Sequence, residues 1–340
     1  DFERYMDEIP KMPEDFYGFG HVELSIDHGA RLTGHHLQWA LSKGANLDDV
    51  FVDYSDKAPG NNRSEHWWQI YQPPYAEEFH STNFVTERTL DFISNAHAND
   101  KPWLAWCSYP DPHHPMTPPG QWFERHHPDD MQLPDSRHDP LSDAPEHLRI
   151  YRDTHPRDQR NWVAPCGYGS DALLRQAIAA TYGMVEMIDD GVGRLTRHLD
   201  ELGIAENTVV VYTSDHGDMM GDHGLLLKGF MHYRGTLQVP MVIKAPGYEA
   251  ACTQHLSSSI DLGPTLMDMC EVAPYDGVQG RSLAPLLADP SAAVRDWVLI
   301  EDDVAAITAK LTPIPGKTRT LVTEQMRYTR NAKGEEQLFD

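Results

Sequence analysis

Positive charge is scarce: 28 Lys+Arg stand against 52 Asp+Glu in 340 residues, a formal net charge of −24. That balance argues against a nucleic-acid scaffold, because phosphate backbones select basic faces. It also means that an anionic substrate must meet local cations strong enough to overcome the global field. Cysteine is scarce as well. Cys107, Cys166, Cys252 and Cys270 are separated by 59, 86 and 18 residues, so there is no C-x-x-C pair and no zinc-ribbon spacing. Four cysteines in so long a chain do not make a disulfide scaffold and read as small, mostly buried thiols. No apolar run approaches the roughly 20 residues of a membrane span. The sequence opens at Asp1 without Met or a signal-like stretch, so the compartment is unreadable and the beginning is expected to be missing.

What is present fits a globular α/β chain. Hydrophobic residues make up 40% and charged residues 24%, which excludes a disordered protein. The length suits one large α/β domain or two smaller ones. Residues 1–80 are irregular and rich in His, Gly, Pro and aromatics. His28, His35 and His36 lie there at loose spacing and read as solvated or hydrogen-bonded side chains, not a metal cluster. Residues 82–99 have a helical period. Trp103 to Tyr109 is a nearly continuous apolar run, expected to be a strand covered on both faces. A loop, Pro110-Asp111-Pro112-His113-His114-Pro115, follows, and the chain stays polar and Pro-rich to about Cys166.

From Asp171 to Leu202 apolar residues recur at steps of three or four, predicting a long helix that Gly203 ends in a left-handed cap. Thr208 to Thr213 is β-branched and predicts a buried strand, the second half of a parallel αβ repeat. Val239 to Lys244 and Trp297 to Ile300 predict further strands. Asp261 to Cys270 reads as a helix with Asp261 as N-cap. Residues 319–323 and 327–330 read as a hairpin.

The chemistry concentrates in Ser214-Asp215-His216-Gly217-Asp218, at the carboxyl end of the 208–213 strand, where open α/β sheets place ligands. Asp215 offers an oxygen and His216 an imidazole nitrogen, both suited to a divalent cation. Gly217 is expected to let the backbone turn away sharply. Lys228, in the same loop, can neutralise an anion held by the metal. Asp189 and Asp190 fall mid-helix, where pairing of Asp190 with Arg194 is the simpler reading.

These residues resemble the sulfatase family, within the alkaline phosphatase superfamily. The resemblance rests on Thr213-Ser214-Asp215-His216-Gly217-Asp218, Gly224-Leu225 ahead of Lys228, Val239-Pro240 with Pro246-Gly247, and Asp189-Asp190-Gly191-Val192-Gly193-Arg194. Pro112-His113-His114-Pro115, Ile260-Asp261-Leu262 with Pro264-Thr265, Gly280-Arg281-Ser282-Leu283 and the final Gln337-Leu338-Phe339-Asp340 extend it across most of residues 80–340 in the family's order. The resemblance implies that Asp215 and His216 are metal ligands, that Lys228 contacts the sulfate oxygens, and that His113 faces the leaving-group oxygen, with His114 its outward neighbour. The four residues are then expected to converge on one crevice. It further implies one divalent ion, with calcium favoured and Mn²⁺ or Mg²⁺ as alternatives, and a small anionic sulfate ester as substrate.

The family's nucleophile motif, Cys/Ser-x-Pro-Ser/Ala-Arg, is absent. So are the first Asp-Asp metal pair and the Gly-Lys-x-His segment. All three belong to the family's N-terminal part, so the chain is expected to be a fragment that is inactive alone. The implied fold is α/β, a mainly parallel sheet flanked by helices with a small C-terminal antiparallel element. Residues 1–294 are assigned to the catalytic domain and 295–340 to a strand-and-hairpin subdomain. The implied activity is metal-dependent sulfuric ester hydrolysis. The alternatives are a phosphonate monoester or phosphodiester hydrolase on the same scaffold, or a non-catalytic binding homologue.

Overall fold

Five helices of eight or more residues order the described chain: α1 (Gly34–Ser42), α2 (Ser81–Ala98), α3 (Glu146–Asp153), α4 (Asp171–Glu201) and α5 (Leu262–Met269). Eight strands accompany them: β1 (Cys166–Gly167), β2 (Val210–Thr213), β3 (Leu225–Leu226), β4 (Met241–Lys244), β5 (Trp297–Asp303), β6 (Lys317–Thr323), β7 (Arg327–Asn331) and β8 (Glu336–Phe339). The structure is a computed structural model, and it describes residues 12, 15–26, 28–50, 62–156, 165–304 and 314–340. The described residues fall into two units, one drawn from 12–134, 156 and 168–205, the other from 135–155, 165–167 and 206–340.

In the first unit the strongest sequence signal folds as read. Ser170 caps α4 by accepting the Leu173 N–H at 3.2 Å, and Gly203 ends it at φ +70°. Its apolar stripe, including Leu174, Ile178, Met184 and Ile188, is buried. Arg194 does not pair with Asp190 as expected. It reaches α2, donating to Asn83 Oδ1 at 2.7 Å and lying 4.0 Å from the Glu87 carboxylate. A separate core gathers Ala30, Leu32, Leu37, Ala40, Val50 and Tyr71 around α1.

The segment 103–109 departs from expectation. It is extended but forms no ladder among the described residues, and Leu104 and Trp106 are 59% and 78% exposed. Only its other face is packed, with Tyr109 Oη 3.0 Å from Thr86 Oγ1 on α2. A short apolar run reports hydrophobicity, not which faces are covered.

In the second unit β2 pairs with β4 in antiparallel register, from Val210↔Lys244 to Thr213↔Met241. The parallel repeat predicted for this helix–strand pair is therefore not the ladder described here. The C-terminal element is as expected, an antiparallel sheet ordered β5-β6-β7-β8. Its inner face is polar: Thr320 Oγ1 lies 2.7 Å from Thr329 Oγ1 and 2.7 Å from His232 Nδ1. Asp261 stands at the N-cap position of α5, as expected, but its side chain does not cap that helix. A 3₁₀ turn precedes the helix, Ser258 caps that turn, and Asp261 closes the capping box. Its fully buried carboxylate accepts the Ser258 and Arg281 N–H groups at 2.9 and 2.8 Å and pairs with Arg295. Helices and strands are interspersed along the described chain, consistent with an α/β class.

Candidate active site

The loop 214–228 follows β2 directly. Its first residues are tied by short-range hydrogen bonds. Ser214 Oγ donates to the His216 carbonyl at 2.9 Å, and the His216 N–H donates to Asp215 Oδ1 at 2.9 Å. His216 Nδ1 lies 2.8 Å from the Gly217 carbonyl. A carbonyl only accepts, so Nδ1 carries the proton and Nε2 is the nitrogen with a lone pair. That Nε2 lies 3.6 Å from Asp215 Oδ2, and the Asp215 side chain is 84% exposed. One carboxylate oxygen and one neutral imidazole nitrogen at this separation, with the tautomer already set, fit a shared divalent ion. Among the described residues no group of three or more His, Cys, Asp or Glu side chains is arranged to hold one.

Gly217 serves this loop differently from the sequence reading. Its φ is not positive, so no special turn is involved. Instead a Cβ there would lie 2.0 Å from the Gly235 carbonyl oxygen. The absence of a side chain lets two backbones touch, and the Gly217 N–H donates to the Thr236 carbonyl at 2.9 Å.

Asp218 holds the far side of the loop. Its buried carboxylate accepts the N–H groups of Met220 at 3.1 Å and Leu227 at 3.0 Å. One side chain thereby joins the loop's start to the residue before Lys228. Between them Met220, His223 and Leu227 adopt positive φ of 42°, 52° and 69°, and such strained non-glycine backbone gathers at functional sites. Burial pushes the Asp218 carboxyl above its ordinary range, against the pull of the Met220 N–H and of Lys228. Burial lowers Lys228 below the usual lysine range, while the charges of Asp218 and Asp215 draw it back up. Lys228 is therefore a cation held in a carboxylate field inside the loop.

His113 belongs to the first unit, at the end of the 103–109 segment. Its N–H donates to the Pro110 carbonyl at 3.2 Å, and its Nδ1 donates to the His114 carbonyl. Nε2 is then the nitrogen that can exchange a proton. His114 is not the outward neighbour expected: it is buried, whereas His113 is only half-buried. The chain enters the core at Pro115 and Met116, and His114 goes in with it. Beneath the loop Asp111 is buried, accepts from Thr82 Oγ1 at 3.2 Å and lies 3.7 Å from His80 Nε2. Burial pushes the Asp111 carboxyl up to about 7, against the Thr82 hydrogen bond and the charge of His28. Burial also lowers His80 to about 4, so the two are a neutral imidazole beside a weak acid, not an ion pair.

Asp215, His216 and Lys228 are thus brought together in one loop of the second unit, and His113 stands in the first. The sequence reading missed Asp111 and Asp218 as supports. Asp218 stood in the motif, but nothing in its spacing shows that it spans to Leu227. His35 and His36 have local structural partners: His35 Nδ1 accepts the Leu24 N–H at 3.0 Å, and His36 Nε2 donates to the Phe79 carbonyl at 2.8 Å.

Comparison with known proteins gives a consistent result. The sequence matches the profile of the family described as Sulfatase over residues 27–272. It is similar to an arylsulfatase of Clostridium perfringens, with 29% identity over 316 residues, covering 90% of this chain and 59% of that protein. It is also similar to the multifunctional alkaline phosphatase superfamily protein PehA of Trinickia caryophylli, with 31% identity over 230 residues, covering 65% of this chain and 43% of that one. Among solved structures it resembles the phosphonate monoester hydrolase of Agrobacterium radiobacter, with TM-score 0.72, 23% identity, and coverage of 90% of this chain and 62% of that chain. The chain therefore spans between 43% and 62% of these relatives.

Proposed function

The chain belongs to the sulfatase family, and from that premise we propose that the protein hydrolyses sulfate esters with one divalent metal ion. The observation that carries this reading is the loop 214–228. There Asp215 Oδ2 and His216 Nε2 lie 3.6 Å apart, and Lys228 feels the charge of Asp215 and Asp218. Asp215 and His216 would contribute two ligands. When bound, the ion supplies Lewis-acid polarisation of the sulfate. Lys228 offsets the charge on the nonbridging oxygens, and its desolvation strengthens that attraction. Asp218 sets where Lys228 starts. His113 gives a proton to the departing alcohol through Nε2, with Nδ1 anchored on the backbone.

None of the four cysteines suits the nucleophile's part. Burial raises the Cys107 thiol and pushes Cys166 up to about 12, so both are poor thiolates. Cys252 and Cys270 lack the flanking Pro and Arg of the family motif. The nucleophile, a formylglycine or a serine, is proposed to come from outside residues 1–340. Purified residues 1–340 are expected to show no turnover of an aryl sulfate. Hydrolysis by that chain, abolished by Asp215→Ala, would overturn this placement.

A second reading, hydrolysis of phosphonate monoesters, is favoured by the imidazole in the ligand pair. His216 softens the donor set, suiting Mn²⁺ where an all-oxygen set suits Ca²⁺. The test is kcat/KM of the full-length protein for nitrophenyl sulfate and for a nitrophenyl phosphonate, with Ca²⁺ and with Mn²⁺. The sulfate reading expects the sulfate to be turned over faster, with a loss of at least about 10²-fold on Asp215→Ala, as for a ground-up loss of electrostatic stabilisation. A faster phosphonate reaction would favour the second reading. No turnover of either would leave a binding homologue.

A further inference from the structure

We propose that His28 is a positioning residue for His113, its ring forming a wall against which the proton-donating imidazole is held. The proposal rests on the reading of His113 as the acid, and deepens it.

Two contacts dock the turn at residues 28–30 onto the loop 110–115. The rings of His28 and His113 stack with centroids 3.8 Å apart and planes 18° apart. His113 also stacks on His114, at 4.1 Å and 23°, so its ring touches two other imidazoles. The next residue, Gly29, has φ +70°, and a Cβ there would come within 3.0 Å of the Pro115 ring. Only glycine allows the turn to lie this close to Pro115.

The turn is itself fixed. Ala30 and Leu32 are fully buried in the core around α1 with Leu37, Val50 and Tyr71, and the Leu32 N–H donates to the Val50 carbonyl at 3.0 Å. His28 is exposed. An exposed, polar ring on a rigid turn, stacked on a half-buried imidazole, adds little to the core. What it does is limit rotation of His113 about its side-chain bonds. A general acid needs that restriction, because proton delivery fails when the donor strays from hydrogen-bond reach of the leaving oxygen. The flat face of the ring supplies the wall. A benzene ring of similar area is therefore expected to replace it.

The test uses the full-length enzyme and four proteins: wild type, His28→Ala, His28→Phe and His113→Ala. The substrates are sulfate esters spanning alkyl alcohols to nitrophenol. For His113→Ala, kcat/KM is expected to fall by roughly 10²–10⁴-fold for alkyl esters, the range of a lost general acid, and far less for nitrophenyl sulfate. His28→Ala is expected to show the same tilt at smaller size, about tenfold for alkyl esters and under about twofold for nitrophenyl sulfate, by loss of orientation. His28→Phe should return to within about threefold of wild type. NMR relaxation of the His113 ring gives a reading independent of substrate: faster motion in His28→Ala, wild-type motion in His28→Phe. Equal losses for His28→Ala at every leaving group, or no loss and unchanged ring motion, would overturn the positioning role. Failure of His28→Phe to restore either reading would overturn the stacking wall. A flat series for His113→Ala with altered ring motion in His28→Ala would instead remove His113 as the acid and leave the contact intact.

Discussion

At the scale of single residues, Asp111 shows how burial that outweighs its favourable partners creates a pH-dependent liability. Its carboxyl is pushed up to about 7, while an unfolded aspartate titrates near 3.9. Between those values the folded state holds a proton that the unfolded state has lost. Stability then falls as pH rises through this window, and the loss is complete above about 7. His36 and His80, lowered by burial to about 3 and about 4, act with the opposite sign. Their contribution is fully present above the unfolded value near 6.5 and is lost as pH drops toward the folded values. Asp111→Asn keeps an acceptor for Thr82 and removes the ionisation. It should gain on wild type by a few kcal/mol between pH 5 and pH 8, at about 1.4 kcal/mol per pKa unit. Urea denaturation of both proteins at the two pH values measures this. A constant difference between them would show that Asp111 titrates normally.

At the scale of elements, two substitutions separate contacts made by backbone from contacts made by side chains. Gly217→Ala would place a methyl 2.0 Å from the Gly235 oxygen, and neither backbone can yield without breaking the Gly217–Thr236 hydrogen bond. The loop carrying Asp215 and His216 must move, so activity should fall at least about 10²-fold, as for a misplaced reacting group. Retention of wild-type kcat would show that the close approach is relaxed in solution. In the C-terminal sheet, Thr320→Val keeps the volume but removes the hydroxyl shared by His232 and Thr329. Two buried polar groups lose a partner, at a cost of about 1–3 kcal/mol, read as a lower denaturation midpoint with kcat unchanged. These cases also mark how far the sequence carries. The helix α4 was legible nearly to the residue because its period runs unbroken for 31 residues and Gly203 ends it. The antiparallel hairpin of β6 and β7 was legible from two short runs flanking a break. Asp215, His216, Lys228 and His113 could be singled out as candidates from the motifs that carry the family resemblance, and their roles stand as proposals. The partner of Asp261, the reach of Asp218 to Leu227 and the stacking of His28 could not. The first and the last join segments far apart in sequence, the second spans nine residues of one loop, and no local pattern encodes any of the three meetings. The 103–109 run was misread for a related reason: hydrophobicity along a strand does not say what covers it.

At the scale of the whole molecule, no helix of the described residues is long and apolar enough to cross a membrane, and the chain carries a net charge of −24. On the proposed reading the substrate is an anionic sulfate ester, so this field would oppose its approach while Lys228 and a bound cation would favour it at short range. The two ranges respond differently to salt. At 0.01 M ionic strength the Debye length is about 30 Å, comparable to a domain, and the entire charge of the chain acts on the incoming ester. At 0.15 M it is about 8 Å, and most of the distant carboxylates are screened. Lys228 is largely withdrawn from solvent in its loop, and burial lowers its pKa, so salt weakens its short-range attraction much less. Raising the ionic strength over this interval should therefore raise kcat/KM for an anionic ester several-fold, mainly through KM, since steering is a property of encounter. The same change should weaken binding of the divalent ion, which the negative field attracts. Saturating metal keeps the two effects apart, and sodium chloride titrated against full-length enzyme with a singly charged sulfate ester gives the measurement. A kcat/KM that falls steadily with salt would show that cations near the site, and not the acidic surface, govern the approach of substrate.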